Sequence, residues 1–292
     1  MKTLLVTTPL RPIPTAFPPL GTMSVLNYLR KNGIKDIEFY NIDSQRPTFK
    51  EALDYIVSQE PGVLGISAVV STAYDFTKRL TLAVKEALPS TLIVVGGNLA
   101  ASAEVLLRRT AADLCVIGEG EKTFFEIVKY AHKTRNPFEY SHICGLALLN
   151  KEGKLVNTGY EASLSKEEIY DVDWEDLESS SDINGFIFNP FESDGALEWL
   201  VHDPRAGEDH RKKKKMVEIY TSKGCVARCT FCHRFEKGVR YIPAHLLRER
   251  IDYLVTRYNV GFLVIGDENF GTDRKWLTEF CAMIKPFDLL WR

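Results

Sequence analysis

Short apolar runs recur along the N-terminal part of the chain, each separated from the next by enough residues for one helix. They are Leu4–Thr7, Ile37–Tyr40, Val63–Ala68, Leu92–Val95 and Leu114–Ile117. Each is rich in β-branched or aromatic residues and lacks polar alternation, as strands buried on both faces do. Helical periods fill the gaps. Phe49, Leu53, Ile56 and Val57 share one face, as do Phe76, Leu80, Val84 and Ala87, and then Phe124, Ile127, Val128 and Ala131. A parallel strand must return through a long crossover, usually a helix. The alternation therefore predicts an α/β fold with a doubly wound, mostly parallel sheet.

The pattern divides the chain of 292 residues into three regions, 1–150, 151–215 and 216–292. Gly145–Asn150 and Leu155–Thr158 flank Lys151-Glu152-Gly153-Lys154, a hairpin signal at the end of the first region. The middle region reads as a linker. It is acidic over Asp171–Glu178, serine-rich at Ser179–Ser181, and ends in Arg211-Lys212-Lys213-Lys214-Lys215. Trp174, Phe186, Phe188, Phe191 and Trp199 imply that it packs against something. The basic run reads as a solvated approach to a strand, with phosphate binding as the alternative. From Met216 the pattern resumes with strands at Val217–Tyr220 and Phe262–Ile265, helices at Ala244–Tyr258 and Arg274–Ile284, and a third strand beginning at Leu289–Trp291.

Charge and composition narrow the classes. Lys and Arg number 37 against 39 Asp and Glu, a formal charge of −2. That balance provides no basic footprint for nucleic acid or an anionic membrane. No run approaches the roughly 18 apolar residues of a membrane span. The apolar opening stops at Thr7, and prolines follow at positions 9, 12 and 14, which argues against a signal peptide. The six cysteines are too few for a disulfide scaffold at this length, and Cys225, Cys229 and Cys232 fall within eight residues. That cysteine usage suggests a cluster or metal in a reducing cytoplasm. Cys115 and Cys144 sit in strand patterns and Cys281 in a helix pattern, where small buried hydrophobes are expected.

The motif is Gly224-Cys225-Val226-Ala227-Arg228-Cys229-Thr230-Phe231-Cys232, spaced C-x3-C-x2-C after a strand. Three thiolates from one loop can ligate three irons of a 4Fe–4S cluster and leave the fourth open to a substrate or cofactor. Zinc is the alternative. It requires a fourth ligand, from the adjacent His233 or from elsewhere, and adjacent residues rarely reach two corners of one tetrahedron.

This signature resembles that of the radical S-adenosylmethionine superfamily, whose C-x3-C-x-aromatic-C loop follows the first strand of a βα barrel. The resemblance implies that Cys225, Cys229 and Cys232 hold a 4Fe–4S cluster and that its open iron binds S-adenosylmethionine. One-electron cleavage would then release a 5′-deoxyadenosyl radical. It places Phe231 against the adenine, and Asp267 or Glu268, in Gly266-Asp267-Glu268-Asn269-Phe270, beside the cofactor's amino group. A polar strand end or helix cap is the alternative for these two acids. His233, Arg234 and Arg240 follow the loop and read as structural or as facing a ligand. The chain covers only the first two βα units of such a barrel, which is therefore expected to be incomplete.

The carboxyl-edge loops of the first region carry Thr7-Thr8-Pro9, Ser67-Ala68-Val69-Val70-Ser71-Thr72, Gly96-Gly97-Asn98-Leu99-Ala100 and Gly118-Glu119-Gly120-Glu121. Small residues and hydroxyls let backbone approach a large flat ligand. No G-x-G-x-x-G follows the first strand and no P-loop motif occurs. With Pro18-Pro19-Leu20-Gly21 entering the first helix, the order resembles the Rossmann-like cobalamin-binding domain that precedes many radical S-adenosylmethionine enzymes. The resemblance implies cobalamin near Thr8, Ser67, Ser71, Thr72, Gly96, Gly97, Asn98, Glu119 and Gly120, although caps and turns use the same residue types. No D-x-H-x-x-G follows the first strand, so the cofactor is expected base-off, with no histidine on cobalt.

The resemblance implies a cobalamin-dependent radical enzyme, foremost a methyltransferase acting on an unactivated carbon of a small-molecule or natural-product substrate. An electron donor such as flavodoxin or ferredoxin would serve it. The alternatives are a cyclase or rearrangement enzyme without methyl transfer, and a cobalamin carrier or sensor with an inactive cluster domain.

Overall fold

Each apolar run of the N-terminal region becomes a strand in the computed structural model, which describes residues 1–192, 195–232 and 238–292. The strands are β1 Thr3–Thr7, β2 Ile37–Tyr40, β3 Val63–Ser67, β4 Leu92–Gly96 and β5 Leu114–Val116. A hairpin follows, β6 Leu146–Leu149 and β7 Leu155–Asn157. The sheet order is β2-β1-β3-β4-β5-β6-β7. The first four pairings are parallel, and β6 and β7 add antiparallel.

The connecting helices are α1 Leu20–Lys31, the short α2 Ile42–Gln45, α3 Phe49–Ser58, α4 Tyr74–Ala87, α5 Ala103–Arg109 and α6 Glu121–Ala131. Strand residues alternate between two cores. Leu4, Val6, Ile93 and Val95 meet Ile56, Leu80 and Leu106 from α3, α4 and α5. Leu5, Val94 and Leu114 meet Leu26, Phe124 and Ile127 from α1 and α6. Both faces are covered, which explains the continuous apolar strands. Thr48 and Glu51 form a reciprocal capping box that starts α3.

The chain forms two compact units. Residues 1–15, 19–164 and 170–182 make the first. It includes α7 Trp174–Ser180, held by an Arg30–Asp176 ion pair and by Gln45 Nε2 donating to the Ser180 carbonyl at 2.7 Å. Much of the stretch that reads as a linker is thus built into a folded unit.

The second unit comprises residues 16–18, 165–169 and 183–292. Its helices are α8 Gly195–His202, α9 Ala244–Tyr258 and α10 Arg274–Ile284. Its strands are β8 Lys215–Ile219, the hairpin β9 Ser222–Cys225 and β10 Gly238–Tyr241, then β11 Val260–Ile265 and β12 Leu290–Trp291. Strands β12, β11 and β8 form a parallel sheet with β11 central. Trp199 of α8 and Phe191 cover one face of it, their rings 5.0 and 6.0 Å from Phe262.

Two expectations change. Arg211, at the head of the basic run, is only 4% exposed and pairs with Glu208 at 3.0 Å and Asp288 at 2.5 Å. It is a structural anchor, while Lys212 and Lys213 stay exposed. Of the isolated cysteines only Cys115 is buried, with its thiol pushed up to about 12 by burial. Cys144 lies in the turn before β6, and Cys281 on α10 beside the face that buries Phe280 and Ile284, and both are exposed.

Candidate cofactor sites

The cysteine hairpin begins where β8 ends. After Ile219 the chain leaves the sheet at Tyr220–Thr221 instead of running on as strand. The cause is Asp267, two residues beyond β11. Its carboxylate accepts from Thr221 N (2.6 Å), Thr221 Oγ1 (2.6 Å), Ser222 N (3.1 Å) and Ser222 Oγ (2.7 Å). Four acceptances fill the lone-pair directions of a carboxylate. Asp267 therefore holds the turn, the strand-end role that stood as the alternative to a place beside a cofactor's amino group. Glu268 next to it is exposed.

Cys225 closes β9, pairing with Gly238 of β10. Its Sγ lies 3.4 Å from Ala227 N and 3.5 Å from Asn269 Nδ2, both donors. Cys229 and Cys232 are exposed on the hairpin loop, joined by Cys232 N donating to the Cys229 carbonyl at 3.2 Å. Phe231 between them is 90% exposed. Among the described residues no three His, Cys, Asp or Glu side chains are gathered closely enough to hold a metal ion. Three thiols of cluster-ligand spacing, one already receiving two N–H groups, nevertheless suit a cluster in kind: hydrogen bonds to ligand sulfur are how proteins stabilise its negative charge. His233 and Arg234 lie outside the described residues. Arg240 sits in β10 opposite Lys223.

The turn after β11 is held from its far side too. Thr272 N donates to the Tyr241 hydroxyl at 2.8 Å, and Tyr241 stacks on Trp276 with ring centroids 4.4 Å apart. On the sheet face that carries Met216 and Phe262, Glu218 sits half-buried. Burial pushes its carboxyl up, and a hydrogen bond from Tyr220 opposes that shift. Gly266 makes the room, because a Cβ there would fall 2.6 Å from Glu218 Oε1.

In the first unit the strand order reverses between β1 and β3, and open α/β sheets bind ligands beyond the carboxyl ends at such a point. Here Thr8 Oγ1 donates to the Ser67 carbonyl (3.3 Å) and Thr72 Oγ1 to the Leu10 carbonyl (3.0 Å). Ala68 N donates to Gly96 O at 2.9 Å, and Leu99 N to Ala68 O at 3.0 Å. That interlock needs Gly97. Its φ of 84° and ψ of 179° suit glycine alone, and a Cβ would fall 2.5 Å from Ala68 O. Ser71 and Asn98 are exposed, as are Val69 and Val70.

Thr8, Ser67, Ser71, Thr72, Gly96, Gly97 and Asn98 thus come to one edge of the sheet. Gly120 caps α6 after the next strand. Glu119 has other work, its Oε2 accepting from Leu164 N at 2.7 Å. Glu121 is buried and accepts from Ser24 Oγ at 2.8 Å, tying α6 to α1.

Sequence reasoning missed Asp43. This buried acid accepts from Leu10 N (2.9 Å) and Thr15 Oγ1 (2.6 Å), and pairs with Arg46 at 2.6 Å. Arg46 in turn donates to the Arg11 and Ile13 carbonyls. The loop after β1 is therefore fastened where it overhangs the edge. Asn269 and Glu218 were also missed.

Comparison with known proteins agrees with both halves. Residues 7–128 match the model of the B12 binding domain. Over 283 residues the chain is 24% identical to the anaerobic magnesium-protoporphyrin IX monomethyl ester cyclase of Rubrivivax gelatinosus, covering 94% of this chain and 46% of the relative. Among solved structures it matches the cobalamin-dependent S-adenosylmethionine radical enzyme OxsB, with a TM-score of 0.71 and 20% identity over 97% of this chain and 37% of that one. It also matches the radical S-adenosylmethionine methyltransferase TsrM from Kitasatospora setae, with a TM-score of 0.61 and 16% identity over 97% of this chain and 50% of that one.

The chain carries a B12 binding domain over residues 7–128 and shares its fold with cobalamin-dependent radical S-adenosylmethionine enzymes.

The first unit is a doubly wound sheet that contains the B12 binding match, and the second is similar in fold to the corresponding part of those radical S-adenosylmethionine enzymes. The chain spans about half the length, or less, of these relatives. No described helix is long and apolar enough to cross a membrane.

Proposed function

We propose that the chain forms the cofactor-binding part of a cobalamin-dependent radical S-adenosylmethionine enzyme that methylates an unactivated carbon of a small molecule. The observation that carries this reading is the presence in one chain of a three-cysteine hairpin and a glycine-opened sheet edge at a strand-order reversal. When bound, the cluster supplies the electron that cleaves S-adenosylmethionine, and cobalamin supplies a cobalt that carries methyl groups.

The chain's own residues divide the remaining work. Cys225, Cys229 and Cys232 hold the cluster. Asp267 fixes the turn from which the hairpin springs, and exposed Glu268 is left to pair with the cofactor's ammonium group. Phe231 offers an exposed ring to the adenine. Thr8, Ser67, Ser71, Thr72, Gly96, Gly97, Asn98 and Gly120 bound the corrin or its tail. No D-x-H-x-x-G follows β1, so on this reading cobalamin is held base-off with no histidine on cobalt. A reducing cytoplasm and a donor such as flavodoxin or ferredoxin suit this chemistry.

Oxidative ring formation is the second reading, supported by the curated name of the Rubrivivax relative. Labelling separates the two. Full-length protein, reconstituted anaerobically and reduced, is given S-adenosylmethionine with a deuterated methyl group. Methyl transfer predicts deoxyadenosine together with label in the corrinoid fraction or a product. Ring formation predicts deoxyadenosine without label transfer. Absence of deoxyadenosine contradicts both and points to a carrier or sensor.

A further inference from the structure

We infer that Asn269 sets the reduction potential of the cluster by donating a hydrogen bond from its side-chain amide to the sulfur of Cys225. The inference rests on the reading that Cys225 is a cluster ligand, and it deepens that reading by distinguishing one of the three thiolates from the others.

The geometry is specific. Asn269 Nδ2 lies 3.5 Å from Cys225 Sγ across 44 residues of sequence. Neither partner sits on a free loop. Cys225 ends a strand paired from Ser222 to Cys225 with β10, and Thr221 and Ser222 at its start are clamped by Asp267. Asn269 stands two residues beyond Asp267. On its other side the turn is tied down by Thr272 N donating to the Tyr241 hydroxyl, and Tyr241 is the last residue of β10. The β11 turn thus grips both strands of the hairpin and presents one neutral amide to one sulfur. The main-chain N–H of Ala227 reaches the same atom at 3.4 Å. Cys229 and Cys232 lie exposed.

Adding an electron to an iron–sulfur cluster increases the negative charge on its ligand sulfurs. A donor aimed at one of them stabilises the reduced state more than the oxidised state and raises the potential. An asparagine supplies this donor without adding charge. Removing it should make the cluster harder to reduce while leaving the three thiolates in place, so Asn269 acts as a positioning residue through Cys225.

The test is an EPR-monitored redox titration of full-length protein reconstituted with iron and sulfide, comparing wild type with Asn269→Ala, Asn269→Ser and Asn269→Asp. Iron content is measured alongside. With about four irons retained, Asn269→Ala and Asn269→Ser should lower the reduced-to-oxidised ratio about three- to tenfold at a fixed poise, equivalent to about 30 to 60 mV for a one-electron couple. Asn269→Asp, which loses the donor and adds a negative charge, should fall further. Titration of the alanine and serine variants at the wild-type potential would overturn the inference. So would loss of iron from both variants, which would make Asn269 a structural residue only. A wild-type protein that assembles no four-iron cluster would overturn the underlying reading, a result distinct from either.

Discussion

Thr221 gives Asp267 both of its hydrogen-bond donors, the main-chain N–H at 2.6 Å and the hydroxyl at 2.6 Å. Ser222 repeats the pattern at 3.1 and 2.7 Å. One carboxylate after β11 thereby decides where the chain leaves β8 and where the cysteine hairpin starts. Hydrogen bonds to a charged group contribute about 1.5–3 kcal/mol each, and they are not additive when they share one acceptor. Asp267→Ala should cost about 3 kcal/mol in urea denaturation and reduce the iron retained after reconstitution. Asp267→Asn should cost less, because its carbonyl oxygen still accepts. An unchanged urea midpoint in the alanine variant would show that the turn forms without the clamp.

Gly97 is the corresponding control point in the first unit. Its backbone conformation is one that only glycine adopts at low cost, and the Ala68 carbonyl occupies the space a side chain would need. Strain of this kind costs about 1–3 kcal/mol. Gly97→Ala should lower stability by about that amount and weaken cobalamin binding, read by visible-absorbance titration with hydroxocobalamin. Gly153→Ala is the comparison. Its φ of 71° also favours glycine, but nothing lies within 4 Å of its side-chain position and it belongs to the β6–β7 turn. It should lose stability while binding cobalamin as wild type does. Equal losses of cobalamin affinity in both variants would contradict a local role for Gly97.

The parallel strands were legible because their runs are short and apolar, and β1, β3, β4 and β5 are buried almost throughout. Ile37–Tyr40 needed no adjustment, and Val63–Ala68 ends one residue earlier as β3. The hairpin β9–β10 was not legible. Ser222-Lys223-Gly224-Cys225 carries no apolar alternation, and its extended form comes from pairing with Gly238–Tyr241 and from the distant Asp267. Asp43 escaped notice for a related reason. A lone acid in a short polar stretch broken only by Ile42 reads as surface, yet the N–H groups of the loop after β1 make its burial favourable. Trp199 was expected to pack somewhere, but the sequence did not name Phe262 as its partner. In each case the deciding contact joins residues far apart in sequence, which periodicity and local motifs cannot report.

Glu218 gives a pH dependence with a definite sign. Burial raises its carboxyl above the ordinary value of 4.5. The folded state therefore binds the proton more readily than the unfolded state. Stability from this group is complete below about 4.5 and is lost as pH rises through the raised folded value. The stability difference between wild type and Glu218→Gln should shift in favour of the glutamine variant over that window and level off above it. Paired urea denaturations from acid to neutral pH measure this. A difference that stays constant with pH would show that Glu218 titrates alike in the folded and unfolded states.

The proposed pairing of cofactors in one chain puts an iron–sulfur cluster on Cys225, Cys229 and Cys232 and cobalamin at the β1–β3 edge. Its most direct test is anaerobic reconstitution of full-length wild type and Cys225→Ala, followed by iron, sulfide, cobalt and zinc analysis. Wild type should contain about four irons and about one cobalt per chain, and Cys225→Ala should lose iron while keeping cobalt. Zinc in place of iron would contradict the cluster half of the account, and iron without cobalt would contradict the cobalamin half.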